Sequence, residues 1–311
     1  MTGFNPDTEI PSLQGKVILV TGGTAGIGRT TVLNLAKHQP AHIYFTGRSA
    51  ESAASLVAEV RALDAAAALQ ITFVQMDLAS LAACKQAASA LASSLTRLDV
   101  VICNAGIMAV TPGVSVDGYE IHMATNHLGH AMLLRHLLPV LEATAALPET
   151  DVRIVVLSST AWRQHPGAIA YPRLGGGYNG FVGRWQAYAQ SKFANLLYAA
   201  ELARRHPAIL TVSLQPGVVK TSLISGLGFW DRAMIATSTA LLCIPNLTPE
   251  EGCHNSLWAA VAGKRAEMVN GTFYMPVGQL ASDLVAKDKL ASDPAQAARL
   301  WEWTEEALDK I

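Results

Sequence analysis

Neither sign of charge dominates this sequence. Its 23 lysines and arginines against 24 aspartates and glutamates leave a formal net charge of −1 over 311 residues. With a pI near 6.8, that balance argues against a basic surface that grips nucleic acid or a polybasic membrane anchor. Cysteine is also scarce: Cys84, Cys103, Cys243 and Cys253 are the only four. No two stand in a CxxC or other metal-ligand spacing, and four in a chain of this length build no disulfide scaffold. They are expected to be reduced, mostly buried thiols of an intracellular protein. Long apolar runs are missing too. The most apolar late segment, "AMIATSTALLCI" (233–244), is too short to cross a bilayer and is expected to form a lid or core helix. The opening "MTGFNPDTEIPSLQGK" is polar, with no basic region ahead of an apolar one. No signal peptide and a cytoplasmic location are therefore expected.

What the chain does have is core material: half its residues are hydrophobic and 15% are charged. "KVILV" (16–20) is a continuous apolar run, as in a strand buried on both faces. "HIYFTG" (42–47), "QITFVQMD" (70–77), "DVVICNAG" (99–106), "VRIVVLSS" (152–159), "LTVSLQPG" (210–217) and "TFYMPVG" (272–278) read as further strands. Helices are expected after the first strand and over about 50–64, 80–95, 119–141, 186–205 and 293–310. In "TPEEG" (248–252), Thr248, Pro249 and Glu251 spell a capping box that starts another helix. Strands alternating with helices, and no break near the middle, predict an α/β chain with one domain over residues 1–311. The expected fold is a Rossmann fold, a doubly wound parallel sheet of about seven strands with helices on both faces.

The first strand runs into "VTGGTAGIG", which puts Gly22, Gly26 and Gly28 between a strand and a helix. Glycines there let the backbone turn tightly and approach a pyrophosphate, which the free N–H groups and positive end of the helix then face. The spacing is GxxxGxG rather than GxGxxG. About 20 residues further on, NAD-binding folds carry an acid for the ribose 2′-hydroxyl. Here that place holds Arg48, in "TGRS". A guanidinium binds a 2′-phosphate that a carboxylate would repel, so NADP(H) is expected in preference to NAD(H).

"QAYAQSK" (186–192) sets Tyr188 and Lys192 one helical turn apart, on one face. No other tyrosine has a lysine four residues on. A YxxxK pair alone is a weak signal, but it stands among others: "TGGTAGIG" (21–28), "MDL" (76–78), "NAG" (104–106), "NHLGH" (126–130), "VLSS" (156–159), "YAQSK" (188–192) and "QPGVVKT" (215–221). Spanning nearly the whole chain in this order, they resemble the short-chain dehydrogenase/reductase family, most of all its retinol-dehydrogenase-like and WW-domain-oxidoreductase-like branch. "PSLQGKVILVTGG" and "AHIYFTGR" are similar to the openings of fungal members.

The resemblance implies roles. Ser159, Tyr188 and Lys192 match the family's catalytic triad, and Asn126 the asparagine that extends it and is expected to hold a proton-relaying water. Cofactor contacts are implied along Thr21, Gly22, Gly26, Ile27 and Gly28, at Arg48, at Asp77 (for the adenine) and Leu78, along Asn104, Ala105 and Gly106, at Tyr188 and Lys192, and at Pro216, Gly217, Val219 and Thr221 beside the nicotinamide. The chemistry explains the residue types. Hydride transfer to a carbonyl leaves an alkoxide that must take a proton. Tyrosine can give it once a neighbouring ammonium lowers its ordinary pKa of about 10. A serine hydroxyl can polarise the substrate oxygen.

Ser158 competes with Ser159, but successive strand residues face opposite ways, so one alone can face the site; the resemblance favours Ser159. His122, His127 and His130 lack a carboxylate or cysteine to complete a ligand set, so helix packing is expected of them and no metal. Trp162, Trp185, Trp230 and Trp258 are expected to pack in the core or lid. The long insertion between Ser159 and Tyr188 (about 162–187) and the apolar segment 222–247 are expected to form a mobile wall and lid of the substrate pocket. The expected activity is interconversion of a ketone or aldehyde and an alcohol on a mainly apolar small molecule, with reduction favoured and a place in secondary metabolism. Redox-neutral chemistry on the same scaffold, or a cofactor-binding sensor or scaffold without catalysis, are the alternatives. The helices around 119–141 and 186–205 are candidates for pairing in a homodimer.

Overall fold

The strand that precedes the glycine turn, β1 (Val17–Val20), is buried from Ile18 onward because sheet flanks it on both edges and helices cover both faces. In the computed structural model, which describes residues 3–63, 69–221, 224, 226–241 and 244–311, the chain then alternates regularly. Helix α1 (Gly26–Ala36) leads to β2 (His42–Gly47), α2 (Ala50–Arg61), β3 (Gln70–Gln75), α3 (Leu81–Ser94) and β4 (Val100–Cys103). Helix α4 (Gly129–Ala145) leads to β5 (Arg153–Leu157), α5 (Gly180–Arg205), β6 (Leu210–Leu214) and α6 (Phe229–Leu241). Strands β7 (Phe273–Met275) and β8 (Gln279–Leu280) and helix α7 (Pro294–Leu308) close the chain.

The sheet order is β8-β7-β6-β5-β4-β1-β2-β3. Every ladder is parallel except β7–β8. The sheet thus has eight strands where the sequence implies about seven. The additional one is a two-residue antiparallel edge, exposed on both residues and too short for any hydrophobic period. One face of the sheet carries an apolar cluster built with α3, α4, α5 and α7, the other a cluster built with α1, α2 and the segment 253–262. Strand order reverses between β1 and β4, and a crevice opens at their carboxyl ends, the place where such sheets bind ligands.

Several starts are set by side-chain caps. Ser49, Ser80 and Asp293 each accept a backbone N–H in the first turn of α2, α3 and α7. The capping box at Thr248 and Glu251 forms as the sequence spells it, over Pro249–Gly252. Helix α1 differs: its N-cap is Ala25, which makes no side-chain cap. The segment around Asn126 departs from a plain helix. A short helix, Ile121–Met123, passes into a π turn, Ala124–Leu128, before α4 begins.

Candidate active site

The uncapped start of α1 faces a groove of about 590 Å³ at the crevice. Its floor is the glycine turn. Gly22 sits at φ +65, and a Cβ there would meet Ala105 at 3.0 Å; Gly28 packs so tightly that a Cβ would meet the Gly22 carbonyl oxygen at 2.3 Å. Free first-turn N–H groups and the positive helix end suit a phosphate. Arg48 lines the same groove at the end of β2, and its side chain makes no ion pair among the described residues. Asp77 lies across the groove, its Oδ1 accepting the Ala79 N–H at 3.0 Å. The groove's shape and its bare helix end fit a dinucleotide.

Of the residues assigned cofactor contacts, Gly22, Gly26, Ile27, Gly28, Arg48, Asp77, Leu78, Asn104, Ala105, Gly106 and Thr221 line this groove. Thr21, Tyr188, Lys192, Pro216, Gly217 and Val219 do not. Thr21 is fully buried beneath the turn, its hydroxyl bonded to His130 Nε2 at 2.8 Å and accepting the Ala105 N–H at 3.0 Å. Val219 pairs with Leu247 in a short ladder, and a Cβ on Gly217 would strike Leu247 at 2.6 Å. Thr24, Thr46, Met76, Ile107 and Thr125 also line the groove. Thr24, Thr46 and Met76 lie inside "TGGTAGIG", "TGRS" and "MDL", whereas Ile107 and Thr125 carry no local pattern of their own.

Beyond Gly106 lies the polar cluster. A Cβ on Gly106 would come within 3.2 Å of Asn126 Oδ1 and 3.5 Å of Lys192 Nζ, so the missing side chain leaves the groove open toward both. Lys192 is buried, donates to the Leu157 carbonyl at 3.0 Å, and its Nζ stands 5.9 Å from the Tyr188 ring centroid. The Ser159 hydroxyl, whose Oγ accepts the Ala161 N–H at 3.2 Å, lies near enough to the Tyr188 phenol to favour its phenolate. Ser158 instead donates to the Lys192 carbonyl at 2.7 Å, on the other side of the strand end. The tyrosine ring closes an apolar cluster with Met108, Ala109, Ala161, Trp185, Ile224, Leu227 and Ile235.

In the chain alone, burial pushes the Tyr188 phenol up to about 12, and the opposing influence is the nearby Ser159 hydroxyl. Burial likewise brings the Lys192 ammonium down to about 8. The lysine is held on a carbonyl and does not by itself draw the phenol toward neutrality. Asn126 is tied down at its side chain and at its carbonyl. Its Oδ1 accepts the Ile107 N–H at 2.8 Å, its Nδ2 donates to the Ile107 carbonyl at 3.0 Å and Ser191 Oγ at 2.9 Å, and its own carbonyl pairs with His130 Nδ1 at 3.0 Å. The asparagine ties the loop after β4 to α5.

The histidines have protein partners. His122 Nδ1 meets Glu120 Oε1 at 2.7 Å while its Nε2 accepts the Val110 N–H; His127 Nε2 meets Thr304 Oγ1 at 2.8 Å. Burial pushes the Cys84, Cys103 and Cys253 thiols up to about 12, so they stay protonated; Cys243 lies outside the described residues. The insertion after Ser159 is anchored in the core at a few points and is otherwise half-buried or exposed. Trp162 is fully buried between Phe193 and Phe273, Ile169 and Leu174 are buried, and Gln190 Oε1 accepts the Ala170 N–H at 2.7 Å. Trp185, at its end, does face Tyr188, while Trp230 is exposed and Trp258 packs on Tyr274.

Sheet order, glycine turn and groove define a doubly wound α/β protein of the dinucleotide-binding class. Within that class the chain belongs to the short-chain dehydrogenases, a family of NAD(P)-binding oxidoreductases: the family model described as short chain dehydrogenase matches residues 16–230. It is 34% identical to an uncharacterized oxidoreductase of Schizosaccharomyces pombe, over 89% of this chain and 83% of that one. It is 33% identical to the short-chain dehydrogenase/reductase drtF of Aspergillus calidoustus, over 97% and 96%. Among solved structures it resembles an uncharacterized protein from Mycobacterium paratuberculosis, with a TM-score of 0.72, 27% identity and coverage of 99% and 98%. It also resembles an NAD(P)-dependent gluconate 5-dehydrogenase from Beutenbergia cavernae with NADP bound, with a TM-score of 0.66, 26% identity and coverage of 88% and 98%. No helix among the described residues is long and apolar enough to cross a membrane.

Proposed function

We infer that the chain is an NADP(H)-dependent oxidoreductase that interconverts a ketone or aldehyde and an alcohol on a mainly apolar small molecule, in the direction of reduction. The observation that carries this reading is the placement of Tyr188 at the head of an otherwise apolar cluster, with Ser159 near the phenol and Lys192 behind the ring. An apolar cluster of this kind suits a substrate with an apolar body, and the two hydroxyls can donate to its one oxygen. Arg48 in the groove supports the phosphorylated cofactor, which when bound supplies the hydride. Ser159 Oγ donates to the carbonyl oxygen and polarises it. Tyr188 Oη gives that oxygen its proton, and a phenol kept protonated by burial suits the donor's part. Lys192 holds positive charge behind the phenol below about pH 8, which favours the phenolate left after transfer. The reading includes one catalytic domain, a cytoplasmic enzyme and a secondary-metabolic substrate. The branch within the family rests on the run of motifs from "TGGTAGIG" (21–28) to "QPGVVKT" (215–221).

The test is NADPH consumption over a panel of ketones, aldehydes and alcohols, read by product mass. A gain of two hydrogens is expected. Tyr188→Phe should lower kcat at least about a thousandfold while NADPH binding stays within about twofold. Full activity in that variant sinks the mechanism, and a product of unchanged mass sinks the reaction class.

A further inference from the structure

Asp231 is a buried carboxylate in the first turn of α6, far along the chain from the polar cluster. Its Oδ2 accepts from Arg184 Nη2 at 2.6 Å and its Oδ1 from Trp185 Nε1 at 2.9 Å. Both donors lie in the first turns of α5, ahead of Tyr188 on the same helix. The Trp185 indole stands edge-on to the Tyr188 ring, with centroids 6.2 Å apart and planes at 85°. Arg184 also lies over the Phe181 ring at 4.9 Å. One turn after Asp231, Ile235 enters the apolar cluster around Tyr188. A single carboxylate thus joins two elements that have no backbone ladder between them, and it orients the ring beside the phenol. A buried carboxylate is stable when both oxygens are engaged, and here the two donors come from one partner helix.

We propose that Asp231 is a positioning residue, a latch that holds α6 over the pocket and fixes Trp185 as the wall beside Tyr188, and so sets how well bulky apolar substrates bind. The substrate part of this rests on the carbonyl-reductase reading above; the latch does not. With the salt bridge and indole bond in place, the first turn of α6 and the start of α5 move together. Without them, α6 is held less firmly against the start of α5, and the indole is free to turn away from the phenol.

Hydrogen–deuterium exchange on the full chain tests the latch directly. In Asp231→Ala, amides of 229–241 should exchange about tenfold faster while those of β1 and β4 stay unchanged. Trp185→Phe keeps a ring and removes the N–H; it should speed the same segment by a smaller factor and serves if the first variant fails to fold. In the same variants, KM for 2-decanone should rise about tenfold with kcat and the NADPH Kd within about twofold, whereas KM for cyclohexanone should move little. Unchanged exchange over 229–241 in both variants overturns the latch. A joint fall in kcat and NADPH affinity overturns the positioning role. If the unaltered protein reduces neither ketone, the function reading is what fails, and the exchange comparison still decides the latch.

Discussion

Tyr188 and Lys192 sit where burial opposes charge on both. The phenol is pushed up to about 12 and the ammonium down to about 8. Their spacing was legible in "YAQSK"; the pleat allowed only one of Ser158 and Ser159 to face the site, and the family resemblance chose Ser159. Their charge states were not, because desolvation depends on everything packed around α5 and no local pattern records it. Arg48 is the opposite case, since its meaning is almost wholly local: a cation where a carboxylate would select NAD. It makes no ion pair among the described residues, and the one bond it supplies, Gln75 Nε2 to its carbonyl at 3.1 Å, belongs to the backbone. Arg48→Asp therefore removes no structural contact. The ratio of kcat/KM for NADPH to that for NADH should fall by about a hundredfold, from loss of a charge-assisted fork and gain of a repelling carboxylate. Steady-state kinetics with both cofactors checks this, and an unchanged ratio removes Arg48 from the cofactor reading.

Helix α5 carries that pair, and from Ala187 to Ala199 every residue is buried. It lies between the sheet and α7, so it has no wet face there, and its alternation of small, polar and apolar residues reads as filler. The covering helix was legible as amphipathic, and its contacts explain that pattern. Leu300 is fully buried, Trp301 stacks on Tyr198 at 5.2 Å, and Arg135 on α4 reaches Asp309 at 2.5 Å. The π turn before α4 was not legible, because a single added residue per turn leaves hydrophobic spacing almost unchanged; yet it presents Asn126 to both Ile107 and Ser191. Helix α7 acts as one face of the core rather than as a tail. Leu300→Ala should cost about 2–5 kcal/mol, since the rigid helix and sheet around it cannot collapse into the space. Equilibrium denaturation in urea should show a lower midpoint with an unchanged slope. A midpoint unmoved by the substitution means α7 contributes little to the fold.

Two buried histidines tie these layers together. His127 bonds Thr304 of α7, and His130 bonds Thr21 beneath the glycine turn, so the segment holding Asn126 is anchored to both faces of the molecule. Burial brings His127 down to about 3 and His130 down to about 4, with the mutual proximity of the rings adding to the effect on His127. The unfolded chain binds these protons near pH 6.5 and the folded chain does not until far lower. Stability is therefore intact above pH 6.5 and falls as pH drops from 6.5 toward 4, where His130 begins to charge in place, and toward 3 for His127. By pH 5 each histidine should have cost about 2 kcal/mol relative to neutral pH. Burial lowers His38, His42, His136 and His254 as well, so the loss is shared. Paired carboxylates such as Asp7, Asp151 and Asp288 act in the same direction only below their ordinary range, near pH 4. The interval from pH 6.5 to 5 thus isolates the histidines. Melting temperatures across it should decline steeply in the unaltered chain and clearly less in His127→Gln with His130→Gln, whatever the offset at pH 7. Parallel curves for the two proteins would mean that these imidazoles titrate alike folded and unfolded, and that the anchoring they provide is independent of their charge.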